Sequence, residues 1–230
     1  SVAIGVNAGF ENQGAGSVAL GNYAGRNFQS SNAVVIGNFA GYTNQSSNAV
    51  AIGSFAGYTN QSTNAIAIGR YAGGNYQDSN AVALGNYAGY TNQQSSAIAI
   101  GSSAGYLGQS TNSIAIGTSA GYSGQQSSAI AIGYQAGYNN QSTNSIAIGN
   151  RAGYTNQGEC SIAIGYQAGN STSFASSIIL NASGIPLNSA KSGFYVSPIS
   201  TTTTTPSVGS GLCSVYYDPT YKCFIVGPPL

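Results

Sequence analysis

The chain of 230 residues contains no histidine, no tryptophan and no methionine, and only nine residues carry charge. Without histidine, no Ser-His-Asp or Cys-His nucleophilic arrangement can be built. The four acids, Glu11, Asp78, Glu159 and Asp218, are too scattered to supply the converging carboxylate pair of acid–base hydrolysis, or the repeated Asp of a calcium-binding solenoid. No Cys or His cluster suits zinc. The five bases, Arg26, Arg70, Arg151, Lys191 and Lys222, leave a net charge of +1 and no basic patch for phosphate neutralisation. These shortages predict a protein that is not an enzyme, holds no cofactor or metal, and binds no nucleic acid. No apolar run approaches the ~18 residues of a membrane span, so no membrane insertion is expected, and no signal peptide is visible.

Cysteine is scarce as well. Cys160, Cys213 and Cys223 are an odd count, which is not a disulfide framework. Cys213 and Cys223 flank a predicted hairpin; a bond between them and free thiols both stay open, because the turn would not set them opposite one another. The missing initiator Met and a Ser1 that opens directly on a repeat boundary read as a processed product or an excerpt of a longer chain.

What the chain does contain is a repeat. Aligned on the string Ala-Ile-Gly, copies begin at residues 1, 17, 33, 49, 65, 81, 97, 113, 129, 145 and 161, a period of 16 without insertion or deletion. Positions within each copy are numbered here from 1 to 16. Position 2 is always Val or Ile, and position 4 always Ile or Leu. Position 3 is Ala except for Val35. Positions 5 and 9 are always Gly, position 8 is always Ala, and position 13 is Gln from Gln13 to Gln157.

β-Branched residues at alternating positions predict a short strand with positions 2 and 4 on one side and Ala on the other. Gly at position 5 ends it at a corner. A second short strand is expected over positions 8–12, followed by a return turn in the Gln-Ser-Thr-Asn stretch. Helix is not expected, since two glycines recur in every 16 residues, at positions 5 and 9. The expected fold is all-β: a parallel β-solenoid of eleven to twelve coils, with like residues stacked in ladders. Ile52 and Ile68 represent the aliphatic ladder, Gly53 and Gly57 the corners, and Gln61 and Gln77 an amide ladder. At ~4.8 Å per coil, eleven coils make a rod of roughly 50 Å.

One coil is thin, and two aliphatic side chains plus alanines are a poor core for a solenoid standing alone. Ala at position 3, opposite the aliphatics, would permit close approach of another backbone, so several parallel rods around a common axis are expected. The alternative is that Ala fills a tight coil interior.

The strings Asn48–Gly53 (NAVAIG) and Asn112–Gly117 (NSIAIG), each followed by xxAG, resemble the head repeats of the trimeric autotransporter adhesins, the YadA-like head. That resemblance covers residues 1–176 and implies a homotrimer of left-handed parallel β-rolls. The family's usual period is shorter. The longer form, with AIGYQAGY at Ala131–Tyr138, is similar to fibre proteins of phages and large DNA viruses.

Past residue 176 the pattern decays. Ser177–Gly184 reads as a degenerate twelfth coil, Gly193–Ile199 as a short strand ended by Pro198, and Ser200–Thr205 as a Thr-rich linker. Leu212–Tyr217 and Tyr221–Val226 read as strands around an Asp-Pro-Thr turn. Residues 177–230 are therefore expected to form a small β cap over one end of the 1–176 array. SIILNASG, FYVSPI and YYDPTYK together resemble the stretch that precedes an endosialidase-type intramolecular chaperone in viral fibres.

Aromatic residues are the remaining signal. Tyr recurs at position 10 at 42, 58, 90, 106, 122, 138 and 154. Two coils that lack it, with Arg26 and Gly74, carry a ring two residues later at Phe28 and Tyr76, which predicts one shared ring face. Position 7 adds Tyr23, Phe39, Phe55, Tyr71 and Tyr87. Stacking between coils explains the rings; a sugar-binding strip with Arg26, Phe28, Arg70, Tyr76 and Asp78 is the functional alternative. Five sequons, at Asn44, Asn60, Asn140, Asn170 and Asn181, follow from recurrence of the turn.

The function expected is a structural or attachment fibre: extracellular, on a virion or cell surface, partnered with its own copies and with a host glycan or receptor. A self-assembling extracellular filament is the alternative. An ice-binding solenoid fits less well, because Thr at position 11 occurs only at 43, 59, 91 and 155 in the array.

Overall fold

The computed structural model describes residues 1–198 throughout and, beyond them, the strands Cys213–Asp218 and Cys223–Pro229. Residues 1–198 form one compact unit, a parallel β-solenoid with no helix. One sheet takes positions 2–4 of every coil, from Val2–Ile4 to Ile162–Gly165, and continues through Ser177–Asn181 and Gly193–Ser197. The second sheet takes positions 11–13, from Glu11–Gln13 to Thr155–Gln157. The second strand thus lies nearer the return turn than positions 8–12, because a turn at positions 5–8 has to close first.

Residues of the first sheet pair with their equivalents 16 later: Val50 with Ile66, Ala51 with Ala67, Ile52 with Ile68. The turns are laddered as well. Phe55 N donates to Asn38 O of the preceding coil at 3.0 Å, and Gly57 N to Ala72 O of the following one at 2.9 Å. Coil-to-coil hydrogen bonding in the turns leaves no place for an insertion, which accounts for the strict period.

Two tight turns close each coil. Position 8 N donates to position 5 O, as from Ala56 to Gly53 at 3.2 Å. Position 1 N donates to position 14 O, as from Ala65 to Ser62 at 3.2 Å. In each turn the third residue has left-handed backbone, as at Phe55 (φ 58°) and Asn64 (φ 60°), and position 12 does too, as at Asn60 (φ 56°). The recurrent Asn at positions 12 and 16 fits this, since Asn tolerates that region better than most residues. Position 5 needs Gly for a different reason. Gly53 has φ 125°, and a Cβ there would sit 2.7 Å from Gly69 O of the next coil.

The interior corrects the sequence reading. Ala at position 3 does not face outward to meet another chain. With Ala at positions 1 and 8 it is fully buried inside the coil, at Ala49, Ala51 and Ala56 for example. The buried side chains opposite are the position-13 glutamines, Gln29 to Gln157. The aliphatics of positions 2 and 4 point out of the coil and are partly exposed along the rod. Two sheets joined by four-residue turns enclose only a narrow column, and small side chains with one extended amide fill it.

The amides satisfy backbone groups across that column. Gln77 Nε2 donates to Ile66 O at 2.9 Å, Ala81 O at 3.3 Å and Gln93 Oε1 at 3.0 Å; Gln61 Nε2 reaches Gln77 Oε1 at 2.9 Å. Near the C-terminal end Ser173 replaces Gln, and Ile179, at position 3, fills the vacated space. One rung further Tyr195 packs partly buried against the core, its hydroxyl bonded to Lys191 O at 2.9 Å. Ser177–Asn181 pairs with Gly193–Ser197 in the same register of 16, so Gly193–Ser197 is a thirteenth rung of the first sheet. Thirteen rungs span roughly 60 Å.

The unit from Ile199 to Leu230 contains an antiparallel hairpin of Cys213–Asp218 with Cys223–Pro229. Cys213 lies opposite Pro229, and Cys223 opposite Asp218. The two cysteines are therefore at opposite ends of the hairpin, roughly 17 Å apart along a strand, beyond disulfide reach. The Thr-rich linker and the Pro219-Thr220 turn lie outside the described residues.

Candidate functional site

Three surface features follow from this coil. The first is the outer face of the first sheet. Positions 2 and 4 carry Val, Ile or Leu on every rung to Ile178 and Leu180, then Phe194 and Val196, with no polar residue between them. Ile100, Ile116, Ile132 and Ile148 are each 36% exposed. A continuous apolar strip along a whole rod exceeds the scattered hydrophobics of an ordinary surface.

The second is a double ladder of rings. At position 7, Tyr23, Phe39, Phe55, Tyr71 and Tyr87 stack nearly parallel, at centroid spacings of 4.8–5.2 Å. At position 10, Tyr90 to Tyr154 stack at 4.8–5.2 Å, and Tyr42 with Tyr58 at 5.3 Å. The ladders touch each other through tilted and edge contacts, such as Phe55–Tyr58 at 5.6 Å. Burial, then the neighbouring tyrosines, lifts the phenols of Tyr106 and Tyr138 above the ordinary tyrosine value.

Phe28 and Tyr76 do not join these ladders. Both occupy the left-handed position 12, are 52% and 58% exposed, and stack on no ring among the described residues. The positive φ rotates position 12 off the face that position 10 uses, so spacing of two no longer means a shared face. Arg26 fills its own place in the ladder instead: its guanidinium lies 5.5 Å from the Phe10 and Tyr42 rings, and Nη1 donates to Tyr42 Oη at 3.0 Å. At Gly74 the gap is taken by Tyr90, which turns edge-on to Tyr71 at 6.0 Å. Arg70 lies over Tyr71 at 4.8 Å and so belongs to the ring ladder.

The third is a groove on the second sheet, lined by Tyr76, Asp78, Asn92, Gln94, Gly108 and Ser110, with a volume of about 360 Å³. Of the five residues expected at a binding strip, the structure brings Tyr76 and Asp78 together here; Arg26 and Arg70 lie on the rings, and Phe28 stands alone. Asn92, Gln94, Gly108 and Ser110 were missed. The available signal was Gly108, which interrupts the Asn recurrence of position 12.

The sequons are unequal. Asn44 Nδ2 donates to Asn60 Oδ1 at 2.8 Å on an outer amide ladder, whereas Asn181 is 3% exposed and its amide is tied to Tyr166 O and Ile185 O. Among the described residues, Cys160 is exposed in a turn, no three potential metal ligands gather, and no helix is long and apolar enough to cross a membrane. No protein-family model, no curated protein and no solved structure matches the chain.

Proposed function

We propose that the chain is a structural and attachment fibre, a rigid rod whose copies associate side by side as a closed trimer and project from a virion or cell surface. The single observation that supports this is the unbroken aliphatic strip on the outside of the first sheet. The coil interior is complete without these side chains, so their exposed surface adds nothing to folding of a lone chain, and burying it between chains gains about 25 cal/mol per Å². Three straight, narrow faces meeting on a common axis remove them all, and closed symmetry prevents runaway growth. The sequence resemblance to trimeric heads adds to this.

A non-enzymatic role fits the scarcity of acids and the absence of histidine. Light scattering on the purified chain tests the reading. Three times the 23.1 kDa chain mass is expected. A monodisperse monomer would overturn the trimer, and a mass that climbs with concentration would favour the open filament.

A further inference from the structure

The groove on the second sheet is where the repeat breaks its own rules. Two columns of side chains cross three successive coils there: Tyr76, Asn92 and Gly108 at position 12, and Asp78, Gln94 and Ser110 at position 14. Three coils run about 10 Å along the rod. In the neighbouring coil position 12 is Asn60 and position 14 is Ser62, so both Tyr76 and Asp78 depart from the local pattern within one coil.

Neither departure serves the fold in any visible way. Tyr76 holds an aromatic side chain on left-handed backbone (φ 57°), a conformation that is unfavourable for a bulky residue. The aromatic residues that share this strain at position 7 recover it by stacking between coils, as Tyr71 does on Tyr87. Among the described residues Tyr76 stacks on no ring, and it lines the groove exposed. Asp78 is the only acid inside the array between Glu11 and Glu159, and no hydrogen bond or ion pair engages its carboxylate among the described residues. Gly108 opens the floor: nothing lies within 4 Å of where its Cβ would be.

We infer that this groove binds an uncharged saccharide. An exposed ring covers the C–H face of a sugar. A carboxylate accepts from two adjacent hydroxyls, while the amides of Asn92 and Gln94 and the Ser110 hydroxyl both donate and accept. A single unpaired negative charge disfavours acidic sugars. One carboxylate without a second is too little for a cation site. The volume of about 360 Å³ is near the low end of small-molecule sites, room for a short oligosaccharide. The groove is on the second sheet and the aliphatic strip on the outside of the first, across the coil interior, so it stays open in the proposed trimer. The inference rests on the attachment part of the proposed function and not on the trimer.

The test is a glycan array carrying neutral, sialylated and sulfated glycans, probed with the full chain and three variants. Tyr76→Asn, Asp78→Ser and Gly108→Asn each install a residue that an adjacent coil carries at that position, so the solenoid persists, and circular dichroism checks that it does. Neutral glycans are expected to bind the unmodified chain, and each variant to weaken that binding about tenfold or more, with the light-scattering mass unchanged. Absence of binding by the unmodified chain, preference for acidic glycans, or binding indifferent to all three variants would overturn the inference. A monomer that binds neutral glycans through the intact groove would keep this inference and remove the trimer.

Discussion

Val35 and Gln45 face each other inside the third coil, and the valine turns the glutamine round. Val35 is the one non-alanine residue at position 3 in the repeat array, and its Cγ2 would lie 2.7 Å from a Cβ on Gly41. Gln45 Nε2 donates to Gly57 O at 2.8 Å, whereas Gln61 Nε2 donates to Val50 O at 2.8 Å and Ala65 O at 3.2 Å. The turned amide also withholds its donor from the Gln61 amide of the next rung, and the buried Oε1 atoms of Gln45 and Gln61 are left without partners.

That relationship can be moved along the rod. Ala51→Val should turn Gln61 in the same way and break its 2.9 Å bond to Gln77. A buried amide contact is lost and two methyl groups are forced into a filled column, so a destabilisation of about 1–3 kcal/mol is expected. A crystal structure of the variant and its denaturant midpoint check both halves; a Gln61 amide left in place would remove the steric explanation.

Glycines at the corner should be far less replaceable than a partly exposed glycine at position 12 of the second sheet. In Gly85→Ala the new Cβ would fall 2.7 Å from Gly101 O, backbone against backbone, at φ 130°. A loss of more than about 2 kcal/mol is expected, with amide exchange quickening in the coils on either side. Gly108→Ala meets nothing within 4 Å and should cost about 1 kcal/mol for its positive φ alone. Equal effects of the two variants would contradict the close approach of the coils.

A charge on the aliphatic strip should separate assembly from folding. Ile116 is 36% exposed and its side chain lies outside the coil, so Ile116→Lys leaves the Ala and Gln interior intact. In the proposed trimer the lysine would be buried without a partner, a cost of several kcal/mol for each chain. Light scattering should report a shift toward monomer while the far-ultraviolet spectrum keeps its β signature. Unchanged mass would place the contact surface elsewhere.

Alkaline pH should weaken the rod. Burial and neighbouring phenols raise Tyr106 and Tyr138 above their ordinary value, which means that the folded state holds these protons more tightly than the unfolded state. The stability they contribute is complete below the ordinary tyrosine pKa of about 10 and is lost as pH rises through the raised folded values. Thermal melts across that range should show a falling midpoint, and Tyr106→Phe should blunt the fall.

Much of this molecule could be read from residue order alone. The period of 16, the two corners, the parallel register and the amide ladder all follow from Gly at positions 5 and 9, alternating aliphatics, and Gln at position 13. Each is a local constraint repeated identically, so stacking adds no new information about it. The sense of the strand was not legible. Alternation assigns positions 2 and 4 to one face and Ala51 or Ala67 to the other, but does not say which face is inside. Only the width of the closed coil decided that: the column between the two sheets takes alanine and an extended glutamine, and the larger Ile52 and Ile68 are left outside. The groove was half legible for a related reason. Tyr76 and Asp78 stood out against the repeat, but their meeting with Gly108 two coils away depends on left-handed backbone at position 12, which overrides the two-residue rule of a strand.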